Sequence, residues 1–149
     1  MSTKLDQSVA LKTFKFLYEH QEALLMTCAI FKKETNEAVR GESELASGLY
    51  DQHAYSLLRL EMVKNLDAKV VRLLQVRNPW GDEKEFRGKW SDNSAMWETL
   101  PQETRDQLRS IEPDGTFWIE YADWIENFDQ YGLCLLPLET YGGYVGNIT

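Results

Sequence analysis

The stretch that decides the fold is VVRLLQVRNPWGDE, Val70 to Glu83. Its first half is apolar and β-branched, the composition of a half-buried strand. Its second half stops that strand at once. Pro79 has no N–H to donate to a ladder, and Gly81 permits a sharp change of direction. Asn78 is left at the strand end, outside regular pairing. Upstream, His53–Met62 and Lys69–Arg77 read as two strands joined across NLDA, where Asn65 and Asp67 are able to bond their own backbone. So short a turn imposes antiparallel pairing, which sets the start of the first strand beside the end of the second. His53 opens one strand and Asn78 closes the other, so the two side chains are expected at one edge of the sheet, within hydrogen-bond reach.

That juxtaposition carries a specific chemistry. A carboxamide oxygen that accepts from one imidazole nitrogen fixes the tautomer and aims the other nitrogen outward. A histidine so held is half of a Cys-His-Asn nucleophilic site. Trp80 is placed to cover the bond and exclude water from it. The same residues admit a plainer reading. A histidine at a strand start is often a partly exposed polar residue, and Asn-Pro is a common turn opener.

Working outward, residues 8–22 carry Leu11, Phe14, Leu17 and Tyr18 at the spacing of a helix face. Leu24–Phe31 reads as a buried strand and 32–48 as a long polar loop. Ser91 or Asp92 is suited to cap a short helical turn, and 100–110 to form a short amphipathic helix. EPDGTFWIEY places a Pro-Asp-Gly turn before a strand with Phe117, Ile119 and Tyr121 on one face. ADWIENF is a short helix and QYGLCLLPLE a closing strand. Strands joined by short turns outnumber long helices, so the fold class is α+β: a mainly antiparallel sheet with flanking helices. Residues 1–7 are expected to be a flexible N-terminus, 8–139 the domain and 140–149 a glycine-rich linker or tail.

The chain's 149 residues suffice for one domain with its own core. A net charge of -8 with no basic stripe argues against a nucleic-acid partner. No apolar run is long enough for a transmembrane segment. MSTKLDQSV lacks the apolar core of a secretory signal. Cys28 and Cys134, each in an apolar run, read as buried, reduced core residues. A cytoplasmic protein is expected.

The words GLYDQHAYSLL, RLLQVRNPWG, WSDNSAMW and RDQLRSIEPDGTFWIEY, in this order, resemble the second protease subdomain of the calpain family of cysteine proteases. The resemblance covers residues 8 to 139, including the helix ahead of LLMTCAI. Papain-like proteases, more distantly, share the histidine strand and the Asn-x-Trp-Gly turn, so a papain-like fold is implied. Carried over, His53 matches the catalytic histidine, Asn78 its orienting asparagine, Trp80 the tryptophan beside it, and Trp90 a second tryptophan near the cleft. The implied whole is a calcium-dependent intracellular endopeptidase acting on protein substrates.

The pattern is broken in three places. The family's nucleophile belongs to a preceding subdomain, in a Gly-x-Cys-Trp context that nothing here matches. The implied partner is therefore that cysteine-bearing subdomain, and this chain alone is expected to be inactive. Gln52 stands where the family has glycine before the histidine. The resemblance also implies a calcium site built from Glu85, Asp92, Asp114 and a backbone carbonyl near Glu112. Its last acid is Thr116 here, and its first loop is one residue longer, so Glu83 competes with Glu85. Calcium affinity follows carboxylate count, so weak binding or none is expected. Gln52 and Thr116 also favour a rival reading, a calpain-like scaffold that has lost catalysis.

Overall fold

The computed structural model describes residues 6–31, 43–81 and 86–136. The expected linker at 140–149 and most of the 32–48 loop lie outside these residues. In chain order the elements are α1 (Gln7–His20), β1 (Leu24–Ile30), β2 (Ser43–Glu44), β3 (Tyr50–Asp51), β4 (His53–Lys64), β5 (Val70–Arg77), α2 (Gln102–Leu108), β6 (Thr116–Glu120), α3 (Tyr121–Asn127) and β7 (Gln130–Leu135). A 3-10 turn at Ala95–Thr99 precedes α2.

Five strands form one antiparallel sheet in the order β6-β5-β4-β1-β7. The expected α+β class is the one observed. Helix α1 starts at Gln7, inside the expected flexible segment, because the Asp6 carboxylate accepts from the Ser8 N–H at 3.1 Å and caps it. Phe14 and Leu17 of α1 are buried, but Leu11 is exposed, since the helix presents a narrower face than its periodicity allows. The 3-10 turn is capped by Ser94, which accepts from Met96 N–H, and not by Ser91 or Asp92. β2, inside the expected long loop, pairs with β3 just beyond it.

Two apolar clusters lie on opposite faces of the sheet, as the strand alternation requires. One gathers Phe14 and Leu17 of α1, Tyr55, Leu57 and Leu60 of β4, Leu74 and Val76 of β5, Phe117 and Ile119 of β6, and Trp124 of α3. The other gathers Val71, Leu73 and Trp118 with Trp90, Trp97, Leu100 and Leu108 from the segment between β5 and β6.

A bulge in β4 decides which face His53 joins. The pairing with β5 shifts between Leu57 and Arg59. Before the shift the odd-numbered His53, Tyr55 and Leu57 are buried; after it the even-numbered Leu60 is. An uninterrupted strand that buried Leu60 would turn His53 to the opposite face, because side chains alternate with period two. Gln21 braces this place. Its carboxamide accepts from Leu60 N–H at 2.8 Å and donates to Leu60 C=O at 3.1 Å, replacing the strand partner that β1 no longer supplies.

Candidate active site

The hairpin brings His53 and Asn78 together. The Nε2 atom of His53 and the Oδ1 atom of Asn78 are 2.8 Å apart, and both residues are buried. The same Oδ1 accepts the backbone N–H of Trp80 at 3.1 Å. A backbone N–H only donates, so the carboxamide atom facing it is the oxygen, and His53 Nε2 must carry a proton to donate to it. In the neutral ring the basic nitrogen is therefore Nδ1.

The sequence builds this place locally. The Asn78 N–H donates to Gly115 C=O at 2.9 Å, one step beyond the last β5–β6 pair, Arg77 with Thr116. Gly81 then bends back, with φ +59°, and its N–H closes the turn on Asn78 C=O at 3.0 Å. Pro79 has no N–H, so nothing is lost where the ladder ends. The Trp80 ring lies 4.3 Å from the His53 ring, centroid to centroid, with half its own surface exposed.

Two residues that sequence reasoning left out complete the aromatic wall. Tyr55 packs edge-on to His53 at 4.8 Å, and Tyr50 edge-on to Trp80 at 5.1 Å. The Tyr55 hydroxyl accepts from Tyr50 N–H at 2.7 Å, which ties the wall to β3. Tyr55 was legible, being two residues from His53 and so on its face. Tyr50 carried no such signal.

Gln52, in the family's glycine position, has φ +56°. Its N–H donates to the Asp51 carboxylate at 2.8 Å and to Ile30 C=O at 2.7 Å, and these bonds hold the left-handed bend. The side chain is exposed.

Trp90 is corrected. It is fully buried in the second cluster, edge-on to Trp97 at 5.2 Å, and packs the face of the sheet opposite His53. Its place is core, not cleft. Cys134 is corrected too: it is exposed on the edge strand β7, whereas Cys28 is buried in β1 as expected. Burial pushes the Cys28 thiol up to about 12, an effect that the nearby Trp124 indole only partly opposes. A thiol so placed stays protonated at neutral pH and is no nucleophile.

The acids of the implied calcium site are arranged as follows. Glu85 and its competitor Glu83 lie outside the described residues. Asp92 is buried, and its backbone carbonyl accepts two bonds from the Arg109 guanidinium, at 3.0 and 2.7 Å. The Asp114 carboxylate accepts from Thr116 N–H at 2.8 Å, and the Glu112 carbonyl accepts from Asp114 N–H at 2.8 Å. Among the described residues no three His, Cys, Asp or Glu side chains gather to hold a metal. Thr116, at the position of the implied last acid, brings no charge.

A five-stranded antiparallel sheet lies between α1 and α3 on one side and a tryptophan layer on the other, with a histidine and an asparagine joined where its inner strands β4 and β5 begin and end, an α+β arrangement consistent with a calpain protease subdomain. The chain belongs to the calpain family of cysteine proteases, whose family model matches residues 1–135. It is 44% identical to human calpain-12 over 103 residues, 69% of this chain and 14% of that protein. It is 37% identical to calpain clp-4 of Caenorhabditis elegans over 101 residues, 67% of this chain and 14% of that one. With the human calpain-2 catalytic subunit the identity is 32% over 120 residues, 80% of this chain and 16% of that protein. The chain thus spans about a sixth or less of the length of these relatives.

Proposed function

We propose that this chain is the imidazole-bearing half of a calpain-type cysteine endopeptidase, and that it is inactive until a cysteine-bearing subdomain docks against it. The observation that carries this reading is the buried 2.8 Å contact between His53 Nε2 and Asn78 Oδ1, with Trp80 over the ring. A tautomer with its basic nitrogen at Nδ1 accepts a thiol proton there and returns it to the leaving amine of a protein substrate. Asn78 orients the imidazole through both protonation states, and Trp80 keeps water from the bond between them. Neither cysteine of the chain is placed to attack: Cys28 is locked in the core and Cys134 lies on the edge strand.

Calcium, where it binds, would be held by Asp92 and Asp114 together with the Glu85 loop, and would supply charge that ties the two loops together. Thr116 in place of the last acid removes a carboxylate and supports weak affinity. Free thiols support a reducing, cytoplasmic setting, and among the described residues no helix is long and apolar enough to cross a membrane. The intact His–Asn pair favours this reading over an inert scaffold.

The test is peptidase activity on a fluorogenic calpain peptide. The pure chain cleaves nothing. With a cysteine-bearing preceding subdomain supplied, cleavage appears, is abolished by His53→Ala, and falls by about 10²-fold or more with Asn78→Ala. Cleavage by the chain alone that is lost on His53→Ala sinks the claim of a half-site. Activity that survives His53→Ala with the partner present sinks the role of the histidine.

A further inference from the structure

We propose that Gly115 is a positioning residue for the His53–Asn78 pair: the absence of a side chain there lets the 112–116 turn press directly on the Asn78–Gly81 turn and set the carboxamide. The inference rests on the reading of that pair as the catalytic half-site, and names a residue that holds it in place from another element.

Gly115 is buried and has φ +79°. A Cβ built on it would meet the Asn78 carbonyl oxygen at 2.8 Å and the Gly81 Cα at 2.9 Å, with Gly81 N at 3.3 Å. All three are backbone atoms, so no flexible side-chain end is available to yield. Gly88 and Gly132 would also meet close neighbours, but those are side-chain atoms of Phe86 and Thr27. Gly115 is thus tied to this one turn, through its own carbonyl, which accepts from Asn78 N–H at 2.9 Å, and through its empty Cβ position.

Asn78 is held at three points: its N–H by Gly115, its carbonyl by Gly81, and its Oδ1 by Trp80 and His53. The first ends on the Gly115 carbonyl, and the acceptor oxygen of the second lies 2.8 Å from where a Gly115 Cβ would stand. A methyl there displaces the carbonyl that Gly81 bonds, and the carboxamide swings with the backbone that carries it. A hydrogen bond weakens steeply with such misalignment, so His53 loses its acceptor while the sheet beneath is unchanged. The turn is itself braced, since the Asp114 carboxylate accepts Thr116 N–H at 2.8 Å.

The experiment is ¹⁵N-edited NMR of the 149-residue chain, following the ring Nε2 proton of His53. A proton bonded to a buried carboxamide gives a low-field resonance that exchanges slowly with water. Gly115→Ala is expected to abolish that resonance, or to speed its exchange by about tenfold or more. Leu100→Ala, in the cluster on the other face, lowers the melting temperature but leaves the resonance in place, which separates positioning from stability. If Gly115→Ala does not fold, Asp114→Ala serves instead: it loosens the turn without adding an atom, and is expected to speed the exchange several-fold. A folded Gly115→Ala with an unchanged resonance overturns the proposal, as does an unchanged resonance in Asp114→Ala where the first variant fails to fold. Asn78→Ala must also abolish the resonance. If it survives that change, the His–Asn reading itself fails, independently of Gly115.

Discussion

Strand β5 has an asparagine at the turn before it and another at the turn after it, and the two are put to different uses. At the hairpin tip, Asn65 Oδ1 accepts from Asp67 N–H at 3.0 Å and from Lys69 N–H at 2.9 Å. At the far end, Asn78 Oδ1 accepts from Trp80 N–H at 3.1 Å and from His53 Nε2–H at 2.8 Å. Both make the same local bond, to the N–H two residues on. They differ only in the second donor: backbone of the same turn for Asn65, a side chain 25 residues away for Asn78. One asparagine shapes a turn. The other shapes a turn and holds an imidazole, and it is buried where the first is only half-buried.

The sharpest way to break the comparison is to remove Asn78. Alanine there takes the Asn78 acceptor from the buried His53 Nε2–H and from the part-buried Trp80 N–H, at a cost of about 2–3 kcal/mol. Urea denaturation measures it. A loss no larger than that of Asn65→Ala would mean that water replaces the carboxamide and that the pair is not a closed unit.

Alkaline pH supplies a control from outside β5, through Cys28 of β1, which pairs with β4 and β7. The Cys28 thiol lies at about 12 in the fold against an ordinary value of 9.0. The unfolded chain therefore gives up the proton first. Stability is full below pH 9 and declines as the pH rises toward 12, by about 1.4 kcal/mol per unit. Thermal melts between pH 8 and 10, below the range where the Tyr121 hydroxyl (also pushed up to about 12, mainly by burial) titrates in the unfolded chain, are expected to show that slope, and Cys28→Ala to flatten it. An unchanged slope in Cys28→Ala would place the alkaline transition elsewhere in the chain.

A smaller effect is expected at the hairpin tip. Asn65→Ala removes two exposed side-chain bonds to backbone, worth about 1 kcal/mol together, or a fall of roughly 3 °C in melting temperature. The His53 ring proton is expected to be untouched. A change in it would show that the two turns communicate along β5, and the contrast between them would fail.

How far the sequence reaches follows from the same pair. Both turns were legible from residue type, because an Asx turn is made within a few residues. That His53 lies beside Asn78 was legible as well, because so short a connection leaves the strands no other arrangement. The face of His53 was not. It depends on the bulge after Leu57, and the Leu57-Leu58 doublet satisfies either register by hydrophobicity alone. Trp90 was misplaced for a related reason: sequence order puts it shortly after Trp80, but only tertiary packing sends it to the opposite face. Cys134 was misjudged because an apolar run looks the same on an edge strand as at the centre of a sheet.

The smallest expected effect compares backbone strain at the two ends of β4. Gln52, just before the strand, and Ala68, in the turn after it, are both left-handed, with φ +56° and +59°. An L-residue there costs roughly 1–2 kcal/mol, while glycine gives back about 0.5–1 kcal/mol through the freer unfolded chain. Gln52→Gly and Ala68→Gly are each expected to stabilise by less than about 1 kcal/mol, measurable as a shift in urea midpoint without a change in slope. Ala68 lies in a turn that does only structural work. Gln52 is held by bonds to Asp51 and Ile30 directly beside His53. Equal gains at the two positions mean that Gln52 carries ordinary turn strain. A distinctly larger gain at Gln52 means that extra strain is stored next to the imidazole, where glycine would release it. A loss at Gln52 alone means that its exposed side chain does something the backbone bonds do not, and the departure from the family's glycine would then be a feature of this site.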